Sequence, residues 1–188
     1  MASERGPEAE RLLRDAGAML DGHFQLASGR HSSVYVEKFR LLEQPAQTEV
    51  LCRMMAEWAR PLATQLVAGP TTGGIIISYE VARLLGVRGI FAESANGRRE
   101  FERGFTIAPG ERVLVVDDVL TTGGSVRDVV EAVRKRGGEV AGVAVLIDRT
   151  GGTADFGVPF IACLTLDIES YEPAQCPLCA KGVPLTIT

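Results

Sequence analysis

Residues 113–125 read Val-Leu-Val-Val-Asp-Asp-Val-Leu-Thr-Thr-Gly-Gly-Ser. In this stretch an apolar strand runs into two adjacent carboxylates, Asp117 and Asp118, and a turn rich in hydroxyls and glycine follows. Beyond the turn, valines at positions 126, 129, 130 and 133 have the i, i+3, i+4, i+7 spacing of one helix face. The stretch therefore predicts a strand–turn–helix unit.

The residue types of this unit point to a particular ligand chemistry. Glycines in the turn can expose backbone N–H groups at the helix N-terminus, where the helix dipole also favours an anion. The two carboxylates could accept hydrogen bonds from hydroxyls or hold a hydrated cation. Together they predict a ligand with both a phosphate and a diol. The alternative, an N-capping Asp before an ordinary turn, explains fewer of these features.

Two common phosphate-binding motifs do not match this stretch. No Gly-Lys-Ser/Thr sequence ends the turn, as a Walker loop requires. The carboxylates also precede the glycines, whereas a dinucleotide fingerprint places its acidic residue about 20 residues after them. The whole stretch instead resembles the phosphoribosyl pyrophosphate signature of type I phosphoribosyltransferases.

Composition limits the classes of protein. The 188 residues are 46% hydrophobic and 23% charged, which is typical of a globular domain. Apolar runs are far shorter than the ~20 residues that span a bilayer, and the first residues are charged. We therefore expect a cytoplasmic protein without a membrane partner. The net charge of −4 argues against general nucleic-acid binding.

Strand and helix patterns alternate through the middle of the chain. Apolar strands at 66–68, 89–92, 140–147 and 160–164 are separated by helical or polar segments. This alternation predicts an α/β fold with a mostly parallel central sheet flanked by helices. Residues of about 1–42 and 165–188 depart from the pattern, so we expect them to form a small hood on a core of about 43–164, within one domain.

The four cysteines divide into two pairs. Cys52 lies on an apolar helical face and Cys163 in a strand, so both are predicted to be core residues. Cys176 and Cys179 have the spacing of half a zinc site. Because no second pair or suitable His lies nearby, we favour a structural role over metal binding for them.

The resemblance extends to orotate phosphoribosyltransferases over nearly the full length of the chain. It is carried by the hood segment 22–38, the loop Gly69-Pro-Thr-Thr-Gly-Gly74, the strand end 145–152 and the Cys-containing tail. It implies a pentosyltransferase that moves ribose 5-phosphate from 5-phosphoribosyl 1-pyrophosphate to N1 of orotate. The products are orotidine 5′-monophosphate and pyrophosphate, in de novo pyrimidine (UMP) biosynthesis. Mg²⁺ is implied as cofactor, held through the substrate, with a water-bridged contact to Asp117 as one option.

The resemblance also implies roles for individual residues. Asp117 and Asp118 would hold the ribose hydroxyls and act in catalysis, and Thr121 and Arg149 would contact orotate. The residues expected to bind phosphoribosyl pyrophosphate are Thr71, Thr72, Gly73, Asp117, Asp118, Val119, Leu120, Thr121, Thr122, Gly123, Gly124 and Ser125.

The chain departs from the family at two basic positions. Many members carry a Lys where this chain has Gly73, and basic residues near Ser94 in a mobile loop. Here the loop 93–103 contains no Lys. Arg98 is our candidate for the missing positive charge, with Arg99 as its alternative, although an Arg cannot serve as a general acid near neutral pH. Both could equally be solvated charges at the tip of a hairpin.

In the family this loop closes over the neighbouring subunit's active site, so the resemblance implies a homodimer. Asn96-Gly97 fits a hairpin tip with positive φ. Two rival functions remain at this point: a regulator that senses phosphoribosyl pyrophosphate without catalysis, and a purine phosphoribosyltransferase.

Overall fold

The structure is a computed structural model that describes residues 2–26, 28–95 and 97–188, with side chains described from residue 5 onward. Its main sheet consists of β3 (Leu66–Pro70), β4 (Arg88–Ala95), β5 (Arg98–Glu100), β6 (Arg112–Leu120), β7 (Glu139–Asp148) and β8 (Phe160–Thr165). The strand order is β5-β4-β3-β6-β7-β8, and every neighbouring pair is parallel except the β4–β5 hairpin. The predicted α/β fold with a mostly parallel central sheet is confirmed.

Helices cover both faces of this sheet. They are α1 (Ala2–Asp15), α2 (Lys38–Leu42), α3 (Pro45–Ala59), α4 (Gly73–Leu85) and α5 (Gly124–Lys135). Along β6, Leu114 and Val116 pack with α3 and α4, while Val113 and Val115 pack with the predicted valine face of α5. This alternation is what an extended strand buried on both faces requires. No helix among these described residues is long and apolar enough to cross a membrane.

A second, smaller sheet joins segments from the two ends of the described chain. Its strands are β1 (Met19–Gln25), β2 (His31–Val36), β9 (Ser170–Tyr171) and β10 (Thr186–Ile187), in the order β10-β1-β2-β9. The last helix, α6 (Pro177–Ala180), lies between β9 and β10 in the chain. From here on we use the name hood for this sheet with its tail, residues 19–36 and 170–188, which is a narrower set than the predicted residues of about 1–42 and 165–188. Helix α1 packs in the core shared with Cys163 and Leu164, so it belongs structurally with the main sheet.

The topology of the main sheet creates a crevice. The unit β3–α4–β4 extends the sheet in one direction and β6–α5–β7 extends it in the other. Ligands of α/β sheets bind where the direction reverses, outside the carboxyl ends of the strands. Here that place lies between β3 and β6, and each of these strands ends in one of the two glycine-rich loops.

Candidate active site

A cavity of about 300 Å³ lies at the carboxyl ends of β3 and β6. Its walls come from the end of β2 and the start of α2, from the loop after β3 and from the loop after β6. The lining residues are Val36, Lys38, Pro70, Thr71, Thr72, Arg99, Asp117, Asp118, Val119, Thr121 and Ser125. The fold therefore brings both predicted donor-binding loops to one cavity.

The turn into α5 forms an adjoining cavity of about 60 Å³. Its lining includes the remaining signature residues Leu120, Thr122, Gly123 and Gly124. Gly123 is the N-cap of α5 and has φ +80°, a conformation that glycine adopts readily. Because this cap has no side chain, the first N–H groups of α5 can bind an anion. The Leu120 side chain is buried in the core, so this residue can reach a ligand only through its backbone.

An ion pair with Lys38 holds Asp118 in place, and Gly73, which has no side chain, leaves room for the Asp118 carboxylate. Lys38 Nζ lies 2.9 Å from Asp118 Oδ2 and 3.1 Å from Oδ1. A Cβ at Gly73 would lie only 1.7 Å from Asp118 Oδ2, so no side chain fits at position 73 while Asp118 keeps this place. The glycine at position 73, where the resemblance implies a Lys, thus has a local steric reason.

Asp117 is buried beside Asp118 and accepts a hydrogen bond from the Asp118 backbone N–H at 2.8 Å. Burial, and then the charge of Asp118, raise the pKa of Asp117 to about 7, and Lys38 and Arg99 partly oppose the rise. The carboxyl can therefore gain or lose a proton near neutral pH. Such perturbed carboxyls are concentrated at functional sites.

The β4–β5 hairpin places one of the two candidate arginines in the cavity. Arg99 Nη1 donates to Thr71 Oγ1 at 2.6 Å. Arg98 lies instead on a larger cavity of about 560 Å³ between the hairpin and α5, where Glu131 and Lys135 supply mixed charge. Within one chain the geometry thus favours Arg99, and a catalytic role for Arg98 stays a prediction. Gly97 has φ +76°, whereas Asn96 of the predicted tip lies outside the described residues.

Arg149 follows β7 at the same edge of the sheet. Its backbone N–H donates to the Leu120 carbonyl at 2.8 Å, which ties it to the end of the signature strand. Burial lowers the pKa of the Arg149 guanidinium, and Tyr35 of β2 opposes this effect. Within the described ranges, no carboxylate forms a salt bridge with Arg149. The residue does not line the 300 Å³ cavity, and its half-buried guanidinium lies near Tyr35 of β2.

Sequence reasoning missed two features of this region. It gave no role to Lys38, although the lysine follows directly on the hood strand that lines the cavity. It also found no suitable His near the cysteine pair in the tail, whereas the fold brings His23 and His31 against Cys176 and Cys179. Both features join residues far apart in sequence, which local patterns do not reveal.

Comparison with known proteins agrees with this geometry. The phosphoribosyl transferase domain family matches residues 47–175. The orotate phosphoribosyltransferase of Pelotomaculum thermopropionicum is 54% identical over 177 residues, which cover 94% of this chain and 93% of that protein. The crystal structure of orotate phosphoribosyltransferase from Aeropyrum pernix has a TM-score of 0.70 at 31% identity, covering 83% of this chain and 92% of that one. The Mycobacterium tuberculosis H37Rv orotate phosphoribosyltransferase, in complex with inorganic phosphate, has a TM-score of 0.67 at 28% identity, covering 86% and 97%.

Proposed function

The chain belongs to the phosphoribosyltransferase family and, within it, to the orotate phosphoribosyltransferases, and from this premise we propose which residues carry the reaction. The enzyme transfers ribose 5-phosphate from phosphoribosyl pyrophosphate to N1 of orotate, a step of pyrimidine biosynthesis. One observation supports the assignment of roles most directly. Two buried carboxylates, Asp117 and Asp118, lie between two loops that can each bind a phosphate group.

Asp117 and Asp118 bind the ribose hydroxyls in this proposal. As pyrophosphate leaves C1 of the ribose, positive charge develops on the ring, and nearby carboxylates stabilise that charge more than they stabilise the bound substrate. Developing positive charge also favours the ionised form of Asp117, whose pKa in the free chain is raised to about 7. The carboxylate is thus most strongly stabilised at the moment when catalysis needs it.

The two ends of the donor substrate, phosphoribosyl pyrophosphate, bind to different loops. The 5′-phosphate lies against the N-terminus of α5, where residues 121–125 offer N–H groups and hydroxyls. The pyrophosphate lies against Thr71 and Thr72, next to Lys38 and Arg99, which line the same cavity. These two cations replace the loop lysines that are absent at positions 73 and 94. Both stabilise the charge of departing pyrophosphate, and Arg99 does so without acting as a proton donor.

The oxygen atoms that line this cavity also suit Mg²⁺. The ion prefers carboxylate and hydroxyl oxygens, and this cavity brings the carboxylates of Asp117 and Asp118 together with the hydroxyls of Thr71 and Thr72. Asp117 and Asp118, with the hydroxyls of Thr71 and Thr72, would hold the ion together with the donor's own oxygens. When bound, Mg²⁺ supplies positive charge to the pyrophosphate oxygens.

Arg149 selects orotate in this proposal. Orotate is an anion with an oxygen-rich edge, and a guanidinium can bond such an edge through two parallel N–H groups. The guanidinium is half-buried, and within the described ranges no carboxylate forms a salt bridge with it. A purine base lacks the carboxylate that this charge would bind, which argues against the purine alternative. Thr121, which lines the donor cavity, would contact the base from the other side.

An assay of orotate consumption tests this assignment. We expect purified protein with Mg²⁺, phosphoribosyl pyrophosphate and orotate to consume orotate, followed by its ultraviolet absorbance, and to leave adenine and hypoxanthine unreacted. Arg149→Ala should lower kcat/KM for orotate at least ~100-fold, equivalent to about 2.7 kcal/mol, with the KM of the donor changed less than about threefold. Arg60→Ala, an exposed arginine on a distant helix end, is the matched control. If Arg149→Ala weakened the use of the donor as much as the use of orotate, the role of Arg149 would be contradicted. If the unmodified chain showed no turnover at all, the alternative of a non-catalytic regulator that senses phosphoribosyl pyrophosphate would be favoured.

We also propose the homodimer, in which loop 93–103 reaches the neighbouring active site, so that Arg99 serves the cavity of the neighbouring subunit in place of its contact with Thr71 of its own chain. The exposed side chains Ile76 and Tyr79 support it, because they line an apolar cavity of about 290 Å³, and Phe39 of α2 is a further exposed apolar side chain. A second copy of the chain would cover this surface. Light scattering should give twice the chain mass.

A mixing experiment tests whether the loop acts across the dimer. Asp117→Asn chains and Arg98→Ala/Arg99→Ala chains would each be inactive alone. If the loop acts on the neighbouring subunit, refolded mixtures regain about a quarter of the wild-type sites, since half of the dimers are mixed and each has one complete site. No recovery would mean that Arg99 serves its own chain, as its hydrogen bond to Thr71 suggests. The cytoplasmic location stays a prediction.

A further inference from the structure

Four side chains with metal-ligating atoms converge in the hood, away from the active site. His23 lies on β1, His31 begins β2, and Cys176 and Cys179 lie at the start of α6. One ligand atom from each residue falls within 4.8 Å of all the others. Three of the four residues are buried, and the fourth, Cys179, is exposed and leaves a path for an ion to enter.

The distances between these atoms fit a tetrahedral metal site. With Zn–N bonds of about 2.05 Å and Zn–S bonds of about 2.3 Å, a regular tetrahedron has N···N edges of about 3.3 Å and N···S edges of about 3.6 Å. His23 Nε2 lies 3.0 Å from His31 Nδ1, 3.5 Å from Cys176 Sγ and 3.7 Å from Cys179 Sγ. His31 Nδ1 lies 3.3 Å from Cys179 Sγ. Each distance agrees with its edge to within about 0.3 Å.

Hydrogen bonding does not explain why these atoms converge. His23 Nδ1 lies 2.8 Å from the Val183 carbonyl oxygen, which can only accept, so we assign the proton of the neutral ring to Nδ1. His23 Nε2 then has one lone pair, while His31 Nδ1 and two thiols crowd around it. At most one of these three groups can donate to that lone pair. A cation at the centre would instead accept a lone pair from all four atoms.

The surroundings also suit a metal ion. The His23–Val183 hydrogen bond is the contact by which metal-binding histidines fix their tautomer and ring orientation. Two thiolates neutralise a divalent cation, so the loaded cluster carries no net charge and can be buried at low electrostatic cost. Thiolate and imidazole together select Zn²⁺ over Mg²⁺ or Ca²⁺.

We propose that the hood binds a structural zinc ion through His23, His31, Cys176 and Cys179. All four positions are filled by protein atoms, which leaves no open position for a water or substrate. The site is also remote from the chemistry: Val36, which lines the active-site cavity, is five residues along β2 from His31, about 16 Å in an extended strand.

The ion anchors the C-terminal segment to the hood. Between residues 172 and 188, Cys176 is the one residue classed as buried, so apolar packing contributes little to holding this segment. Its other attachments to the sheet are the short pairing of β10 with β1, the hydrogen bond from His23 to the Val183 carbonyl and an ion pair between Arg30 and Glu172. A metal that joins residues separated by about 150 positions supplies the cross-link that this packing lacks.

Metal analysis of the full-length chain tests the proposal. Protein purified without chelators should contain about one zinc per chain, and Cys176→Ser/Cys179→Ser less than about a tenth of that. Cys52→Ala/Cys163→Ala removes the two buried thiols outside the cluster and should keep the full content. After zinc removal, titration with Co²⁺ should give the thiolate-to-cobalt charge-transfer band and the strong visible absorption of a tetrahedral site. Absence of both bound zinc and the cobalt spectrum would overturn the proposal.

A measurement on the unmodified chain tests the proposal even if the cysteine variants fail to fold. With zinc bound, Cys176 and Cys179 should resist iodoacetamide, and trypsin should cut slowly after Lys181. Chelation should accelerate both reactions at least about tenfold, as expected when a metal-dependent element unfolds. Equal rates with and without chelator would refute a metal anchor. A mass lower by two hydrogens, located by peptide mapping to a Cys176–Cys179 disulfide in metal-free protein, would likewise overturn it.

Discussion

Asp117→Asn separates the catalytic role of this carboxylate from its effect on stability. Burial and the charge of Asp118 raise the pKa of Asp117 from 3.8 to about 7 in the folded chain. Between those pH values the folded state binds a proton that the unfolded state has released. The free energy of unfolding of the wild type therefore falls as the pH rises from about 4 to about 7.

The structure sets the size of this effect. The interval from 3.8 to about 7 corresponds to at most about 4 kcal/mol at pH 8 and to about 2 kcal/mol at pH 5. Asn cannot ionise, and its Oδ1 can accept the same hydrogen bond from the Asp118 N–H. We expect the variant to be more stable than the wild type, with the gain at pH 8 at least twice that at pH 5. A gain of this size raises Tm at pH 8 by roughly 5–15 °C.

Urea denaturation from pH 5 to pH 8 measures the gain, and orotate consumption measures the loss of function. Asp117→Asn should lower kcat/KM at least ~100-fold, since it removes a charge that acts on the transition state. Asp128→Asn, on α5 outside the cavity, controls for the loss of one negative charge from a chain of net charge −4. A gain that is equal at pH 5 and pH 8, or larger at pH 5, would refute the reasoning.

Two further predictions concern the partners of Asp118. Gly73→Ala should weaken the binding of phosphoribosyl pyrophosphate at least about tenfold, because the new Cβ displaces the Asp118 carboxylate, and calorimetry measures this loss. Gly6→Ala is the control: its Cβ would have open space around it, so binding should be unchanged. Lys38→Met should lower the free energy of unfolding, measured by urea denaturation, by about 1–3 kcal/mol, because it leaves the Asp118 charge without its ion-pair partner. The loss should be larger at pH 8 than at pH 6, because the substitution also raises the pKa of Asp117 further. Lys135→Met, which removes an exposed pair with Glu100, should change stability little.

Local sequence patterns were sufficient for the central strand–turn–helix unit. Its chemistry lies within thirteen contiguous residues, and the periodicity changes from strand to helix at the glycines, so β6 and α5 could be placed without tertiary information. The position of Arg149 follows similarly, because the carboxyl ends of parallel strands meet at one edge of the sheet. The helix α1 was harder to place, since an amphipathic pattern does not show which sheet the apolar face covers.

Long-range contacts account for what the sequence did not reveal. Lys38 and Asp118 are 80 residues apart, and they meet only because the start of α2 lies at the crevice in the folded chain. The histidines and cysteines of the hood are about 150 residues apart, so a search for ligands near the cysteines could not find them. One signal was available: the chain contains only two histidines, and they lie eight residues apart in the same hairpin.

Polar contacts at the surface hold the β4–β5 hairpin beside the active site. Arg99 bonds Thr71, and ion pairs join Arg103 to Glu93 and Lys135 to Glu100, each at 2.8 Å. Dissolved ions screen exposed pairs of this kind, and β5 buries none of its three residues fully. Lifting the hairpin therefore breaks contacts that water and salt can replace. We therefore expect the hairpin to leave its place beside the active site more often as ionic strength rises.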